Sequence, residues 1–170
     1  MNDTSTIFSC YVFITCNEEC FFMLFVSNLS ADPMFFLLNQ KKVNVEFNYE
    51  HARVDNIDST DFADLRQAVS CEWERLFLNE LNDELDDFEI KFGDHTEAVY
   101  TMLCNILYVS VNGTIIMDIR FINTETLEER RKLKIQGRGG VFGSFANLIG
   151  DGMSRCGENL GEYIEDKIEL

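Results

Sequence analysis

Residues 43–49 are the first strongly patterned segment of the chain, because apolar and polar side chains alternate strictly along it. Val43, Val45, Phe47 and Tyr49 are the apolar members, and asparagine or glutamate stands between them. A period of two is typical of a strand with one buried face. We therefore predict that a folded domain begins at about residue 41 and opens with a β-strand.

A long helix is predicted to begin within residues 58–61. Asp58, Ser59, Thr60 and Asp61 supply side-chain oxygens for free backbone N–H groups, and the two carboxylates suit the positive end of the helix dipole. Apolar residues then recur mostly at steps of three and four, which places them on one face of a helix packed on the core. This stripe contains Phe62, Leu65, Val69, Trp73, Leu76, Phe77, Leu81 and Leu85.

A β-hairpin is predicted around Asn112 and Gly113, which follow the apolar stretch of residues 98–111. Asn-Gly favours a two-residue turn, because both central residues of such a turn take positive φ. This turn fixes the pairing of the two strands and gives them one apolar face. Val111 is predicted to pair with Thr114 at the turn, and the predicted pairs on the apolar face are Tyr108 with Met117, Ile106 with Ile119, and Cys104 with Phe121.

The opposite face of this hairpin is predicted to be mixed in character. Asn105 would pair with Arg120, and Leu107 with Asp118, which suits either solvent or a protein partner. A turn at residues 123–126 and a return strand over residues 127–136 follow, and glycines at 137, 139 and 140 end that strand.

The last predicted helix spans residues 142–168 and carries two parallel stripes. One is apolar, and the other, displaced by one residue, consists of small side chains. Glycine within a helix costs about 0.5 to 1 kcal/mol relative to alanine, so several glycines imply a close approach of another backbone. Packing inside the domain is the interpretation we favour, and a homodimer or membrane-partner interface is the alternative. The apolar stripe is Phe142, Phe145, Ile149, Met153, Cys156, Leu160 and Ile164, and the small stripe is Gly143, Ala146, Gly150, Ser154, Gly157 and Gly161.

These elements predict a single α+β domain over residues 41–170, in the order β-α-β-β-β-α. We expect two layers: an antiparallel sheet of about four strands, with both long helices packed on one of its faces. Residues 1–40 form an apolar N-terminal segment, in which Asn17, Glu18 and Glu19 separate two apolar runs. A degenerate secretion leader, a hairpin and a packed helix all stay open for this segment. No spanning helix is expected, because each carboxylate near a bilayer centre would cost about 2.5 kcal/mol or more.

The charge of the chain limits its partners. Thirty acidic and 14 basic residues give a formal net charge of −16. Such a molecule repels nucleic acid, which we exclude as a partner, whereas a protein partner is expected. The six cysteines contain no CxxC pair, so the sequence predicts no zinc site and no cofactor.

Two surfaces are candidates for contact with a partner protein. Carboxylates crowd the end of the first helix, where the helix dipole disfavours them and a basic partner would relieve their repulsion. The mixed face of the hairpin is the second candidate. Together these surfaces contain Asp83, Glu84, Asp86, Asp87, Asn105, Asp118 and Arg120.

Sequence signals for chemistry are weak. Gly137, Arg138, Gly139 and Gly140 lie between a strand and a helix, where an anion-binding loop would lie, but they match neither nucleotide-binding glycine motif. We favour a flexible connection there. His95 lies beside Asp94 and Glu97 and is the residue around which a small enzyme would be built. The sequence contains no recognised catalytic motif, so we predict a protein that is not an enzyme.

From about residue 41 onward, the chain resembles a group of small uncharacterised proteins of Bacteroidales-type bacteria. KVNVEFNYEHARV, EWERLFLNELNDEL and GRGGVFGSFANLIGDGMSRCGENLGEYI carry the resemblance. More distantly, the hairpin, the INTETLEERR strand and the final helix look like α+β modules of envelope lipoproteins. The resemblance implies a periplasmic or outer-envelope location rather than the cytoplasm, and it transfers no active site.

The function that we predict is a non-enzymatic binding or accessory module of the bacterial envelope. An acidic inhibitor or immunity-type protein that masks a basic protein is the alternative. The small enzyme using His95 is a third hypothesis.

Overall fold

The computed structural model describes residues 34–55 and 57–168. The N-terminal 33 residues, including the two apolar runs, lie outside the described residues. Six strands and two long helices are present in the described part, together with short 3-10 turns at Phe35–Leu37 and Asp86–Phe88. In chain order the elements are β1 (Lys42–Asn48), β2 (Arg53–Val54), α1 (Ser59–Glu84), β3 (Lys91–Gly93), β4 (Tyr100–Val109), β5 (Ile115–Asn123), β6 (Glu129–Gly137) and α2 (Phe145–Ile168).

The predicted two-layer α+β class with two long helices is confirmed. The strands lie in the order β3-β1-β4-β5-β6, and β2 extends the β1 side of β4. One core cluster contains alternate residues of β4 and β5, such as Ile106 and Met117, together with Phe77 of α1 and Met153 of α2. Both helices therefore cover the same face of the sheet.

The sheet is mixed rather than antiparallel, which corrects the prediction. β1 pairs in parallel with both β4 and β3, whereas β4, β5 and β6 form the antiparallel meander that the sequence indicated. The reason is the crossover: α1 carries the chain back along the sheet, so β4 starts at the end where β1 started and runs beside it in the same direction. The two- and three-residue strands β2 and β3 were not predicted.

The hairpin between β4 and β5 forms at the predicted place but in a different register. Ile106 pairs with Met117 and Cys104 with Ile119, so the predicted partners of Ile106 and Cys104 are wrong by two residues. There are two causes. Gly113 alone takes positive φ and its N–H donates to the Ser110 carbonyl oxygen at 2.9 Å, so three residues rather than two form the loop and shift the register by one residue. A bulge between Ile106 and Tyr108 shifts it by one more. Together the two shifts leave Ile106 and Cys104 on their predicted face, whereas Tyr108 pairs with Ile116 rather than Met117 and leaves the predicted apolar face.

α1 begins as predicted, whereas α2 begins three residues later than predicted. The Asp58 side chain accepts a hydrogen bond from the Thr60 N–H at 2.8 Å and caps α1. Phe142 was assigned to the apolar stripe of α2, but it lies before the helix and 90% of it is exposed. Gly143, with φ of +139°, interrupts the helical path there. The other members of that stripe from Ile149 to Ile164 are buried in the core.

The two helices pack closely along the glycine side of α2. A methyl group on Gly157 would overlap the Phe77 carbonyl oxygen of α1, and one on Gly161 would overlap the stem of Glu84. Trp73 Nε1 donates to the Ala146 carbonyl oxygen at 2.9 Å across the same contact. The glycine side of α2 is therefore occupied by α1 and does not form an exposed interface.

Candidate functional site

The face of the sheet opposite the helices has no covering layer among the described residues. Alternation along β4 and β5 places a row of half-buried apolar side chains on this face, between polar rows on β1 and β6. We call it the open sheet face. Its apolar row is Leu103, Leu107, Ile116 and Ile122, and its exposed β6 side chains are Lys132, Lys134 and Gln136.

Asn105, Asp118 and Arg120, three of the predicted partner residues, lie together on the open sheet face. Asp118 is only 7% exposed, and its Oδ2 atom lies 3.4 Å from Arg120 Nε and 3.1 Å from Lys132 Nζ. Asn105 pairs with Asp118 in the register rather than with Arg120, and its Oδ1 accepts from Asn48 Nδ2 at 3.2 Å. These contacts link polar side chains of β1, β4, β5 and β6 across the open sheet face.

Sequence analysis missed two contributors to this network. Glu129 Oε2 lies 3.7 Å from Arg120 Nε, and Lys132 is the nearest cation to Asp118. Lys132 alternates with Leu133 in the return strand, so the period-two pattern could have placed it on the polar face. The sequence did not show that β6 lies next to β5, which is what brings Lys132 to Asp118.

The four predicted acidic residues lie away from the open sheet face, at the end of α1. Asp83, Asp86 and Asp87 are exposed, and Asp86 is paired with Lys91 at 2.7 Å. Glu84 instead faces α2. The structure therefore divides the predicted partner residues between two separate surfaces on opposite sides of the sheet.

Carboxylates from both helices form an acidic patch around Glu84. Partial burial is the main cause that raises the pKa of Glu84, and the nearby charges of Glu162, Glu158, Glu165 and Glu80 raise it further. We call these five residues the two-helix acidic patch. Only its α1 members were part of the acidic cluster that the sequence pointed to, because the approach of α2 cannot be read from local spacing.

We expect Glu84→Gln to stabilise the protein at neutral pH. A glutamate whose pKa is raised in the folded state is destabilising when ionised, so its cost is complete above the raised pKa, decreases as the pH falls through it, and is absent below the ordinary pKa. The melting temperature of Glu84→Gln should exceed that of the wild type at pH 7, and the difference should shrink as the pH falls toward about 4. Exposed Glu125→Gln is the control. A lower melting temperature for Glu84→Gln at pH 7 would contradict this account.

The glycine loop at the end of β6 packs against neighbouring backbone and side chains. A methyl group on Gly139 would overlap the Asn112 carbonyl oxygen, and one on Gly140 would overlap the Asp151 carboxylate. The Asp151 carboxylate at this position repels an anion. In the first turn of α2, the Asn147 N–H donates to Ser144 Oγ at 3.3 Å, so this N–H already has a partner. Arg138 lies beside Arg155 in a shallow pocket of about 380 Å³. Anion binding by Gly137, Arg138, Gly139 and Gly140 stays the weaker of the two interpretations that the sequence offered.

The histidines and cysteines of the described part form no recognisable catalytic group. His51 is exposed in the turn after β1, and the His95 backbone N–H donates to Asn44 Oδ1 at 3.1 Å. Burial raises the pKa of the Cys104 thiol, and that of Cys156 to about 12, so neither forms a ready nucleophile. Within residues 34–55 and 57–168, no three His, Cys, Asp or Glu side chains are grouped to hold a metal ion.

Fold and surface together define a small α+β module with one helix-covered and one open sheet face. No protein-family model and no curated protein matches the sequence. The PelC dodecamer from Paraburkholderia phytofirmans is similar at 11% identity and a TM-score of 0.38, over 70% of this chain and 87% of that chain. The DUF330 protein XCC0632 from Xanthomonas campestris is similar at 9% identity and a TM-score of 0.41, over 75% and 85% of the two chains. These likenesses assign no ligand, assembly or activity to this chain.

The length and hydropathy of a helix decide whether it could span a membrane. In the part of the chain that the structure describes, no helix is both long and apolar enough to cross a bilayer.

Proposed function

We propose that this chain is a non-enzymatic module that binds another protein through the open sheet face. The observation that carries the proposal is the one-sided sheet: both helices cover one face, and the other presents a row of leucine and isoleucine side chains between charged rows. An apolar centre with a polar rim is the usual composition of a protein interface. The fixed Asp118, Arg120 and Lys132 network supplies both signs of charge for orienting a partner.

The proposed location is the bacterial envelope. The resemblance to small Bacteroidales-type proteins and to modules of envelope lipoproteins supports it, and so does the apolar composition of residues 1–40. Cell fractionation, followed by mass spectrometry of the N-terminus of the recovered protein, tests this location. Recovery of the full-length chain from the cytosol alone would contradict it.

The binding proposal is tested by removing apolar atoms from the open sheet face. In Leu103→Thr/Ile122→Thr, both positions carry a β-branched residue that suits a strand but lose apolar contact area. The control Val99→Thr/Val111→Thr makes a similar change at exposed residues outside this face. Each full-length protein is immobilised and exposed to a solubilised envelope fraction, and captured proteins are quantified by mass spectrometry.

We expect one protein to be retained by the wild type and the control at equal levels, and by the face variant at less than about a tenth of that level, since a partly buried interface residue is worth about 1 kcal/mol or more. Circular dichroism confirms that each variant is folded. Equal capture by the face variant would remove the proposal.

A second candidate function is an inhibitor or immunity-type protein that masks a basic protein. The two-helix acidic patch favours it, because five carboxylates from two helices converge there. The variant Glu158→Gln/Glu162→Gln/Glu165→Gln should no longer capture its partner. The affinity of the wild type for that partner should fall steeply with added salt. The opposite result would assign the function to the open sheet face: capture of the partner would be lost in the face variant and unchanged in the glutamine variant.

A further inference from the structure

β6 is an edge strand of the sheet. It pairs with β5 on one side, and no strand among the described residues pairs with its other side. An edge strand carries a row of backbone N–H and C=O groups without strand partners, to which another chain can add a strand. Near the end of β6, Asn159 Nδ2 donates to the Gln136 carbonyl oxygen at 2.7 Å, so α2 takes up one of these groups. We call residues 129–135, which precede that contact, the β6 edge.

Positive charge is concentrated along the β6 edge. Residues 130–138 contain five of the 14 basic residues of the chain and no acidic residue. Asp118 lies opposite Lys134 in the register, but its carboxylate is paired with Lys132 at 3.1 Å. In the part of the chain that the structure describes, no carboxylate lies within ion-pair distance of Lys134. On a chain with a net charge of −16, this strand is a local preference for negative charge.

The same charges decide which strand can pair with the β6 edge. A second copy of β6 paired about Lys132 would place that lysine opposite its own copy and Arg130 opposite Lys134. Like charges directly opposite each other on two strands are destabilising, and edge strands use lysine to prevent such self-pairing. Opposite charges in these positions are favourable. The β6 edge therefore rejects its own copy and favours a strand that carries carboxylates.

The other side of β6 favours apolar side chains. Leu133 pairs with Ile119 in the register, and Ile135 pairs with Met117, so both lie on the helix-covered face. Ile135 is buried, whereas Leu133 is partly buried and packs at the border of the core. Alternate side chains of an added strand would fall on the two faces of the sheet. Carboxylates on one face would meet Lys132 and Lys134, and apolar side chains on the other would cover Leu133.

We infer that the β6 edge binds an acidic segment of a partner protein, which adds to the sheet as a strand with carboxylates and apolar side chains at alternate positions. The inference rests on the proposed function, because it names the segment with which the partner of the open sheet face would meet β6. Lys132 and Lys134 border that face and are exposed. Charge, alternation and backbone groups without strand partners thus specify the same kind of segment.

Titration of the full-length protein with a peptide of four Val-Glu repeats tests the inference, with calorimetry for the affinity and NMR-detected hydrogen exchange for the contact. We expect saturable binding and slower exchange of the β6 backbone N–H groups that face away from β5. Two control peptides should bind at least about tenfold more weakly: four Val-Lys repeats, which reverse the charge, and four valines followed by four glutamates, which keep the composition and lose the alternation.

Three outcomes of this titration would overturn the inference. One is the absence of saturable binding of the Val-Glu peptide. Another is equal binding of the peptide with four valines followed by four glutamates, which would show charge attraction without strand pairing. The third is binding of the Val-Glu peptide without slower exchange in β6, which would place the peptide elsewhere.

A charge variant of the β6 edge assigns the binding groups. Lys132→Gln/Lys134→Gln should weaken binding of the Val-Glu peptide by about fivefold or more, because each exposed ion pair is worth up to about fivefold in affinity. The control Lys41→Gln/Lys42→Gln removes the same charge from exposed lysines at the start of β1 and should bind as the wild type does. Circular dichroism confirms folding of each variant. Equal affinities of the two variants would overturn the inference even if the peptide binds.

This titration separates the inference from the proposed function. It contains no envelope protein, so its failure would remove the acidic strand and leave capture through the open sheet face untouched. Equal capture by the face variant would remove the proposed function, whereas the peptide titration would be unaffected.

Discussion

Gly157→Ala should destabilise the protein, although alanine is the better helix former. The added methyl group would overlap the Phe77 carbonyl oxygen on α1, and a backbone atom of a packed helix cannot move aside as a side chain can. Overpacking of this kind costs about 1 to 3 kcal/mol, against a gain of about 0.5 to 1 kcal/mol from helix propensity. We expect a net loss of about 1 to 2 kcal/mol in the free energy of unfolding, measured by urea denaturation.

Gly150→Ala is the matched control for this substitution, because it adds the same methyl group to the same helix. The nearest atom to the added methyl would be Leu76 Cδ1 at 3.1 Å, the end of a flexible side chain that can turn away. Gly150→Ala should therefore be neutral or slightly stabilising. If Gly157→Ala were as stable as Gly150→Ala, the helices would not be held at the close distance that the structure shows.

Local patterns predicted the elements of this fold well, because each long element carries its own periodicity. Phe62, Trp73, Phe77 and Leu81 are all buried, as the stripe on α1 indicated. The alternation in β4 and β5 likewise assigned Cys104 and its neighbours to the core face. Burial follows such patterns because one face of each element must avoid water.

Pairing between distant elements could not be predicted in the same way. The parallel contact of β1 with β4 joins Asn44 to Thr101, and no local signal marks which strands become neighbours after a long crossover. The hairpin register failed for a smaller reason. Asn112-Gly113 fits two kinds of turn, and the structure uses the one in which Gly113 alone takes positive φ. A bulge between Ile106 and Tyr108 adds a second residue of shift.

The candidate sites show the same division between local and distant information. Asp118 and Arg120 were assigned to a mixed sheet face from alternation alone, and they lie on it. The approach of Tyr49 to Glu74 was not predicted, because they are 25 residues apart and each has an ordinary place in its own pattern. Tyr49 continues the alternation of the first strand, and Glu74 follows Trp73 on the polar side of a helix. Only the packing of α1 on β1 brings them together.

Phe77→Ala is the substitution from which we expect the largest loss of stability. Phe77 is fully buried and meets Phe47 of β1 edge to face, with ring centres 5.3 Å apart, so it joins α1 to the sheet. Its backbone also forms the contact with Gly157 of α2. Truncation leaves a cavity that the packed helices cannot close, and such changes cost about 3 to 5 kcal/mol.

Phe142→Ala provides the control for the chemistry of the change, because the same side chain is removed where 90% of it is exposed. Both residues belong to stripes that the sequence assigned to the core. Comparing the two variants therefore tests how well periodicity alone predicts burial. Urea denaturation should show an unchanged midpoint for Phe142→Ala and a midpoint lowered by more than about 1 M for Phe77→Ala, given slopes of about 1 to 3 kcal/mol per M. Similar losses in both variants would place Phe142 in a packed environment and would restore the longer helix predicted from the stripe.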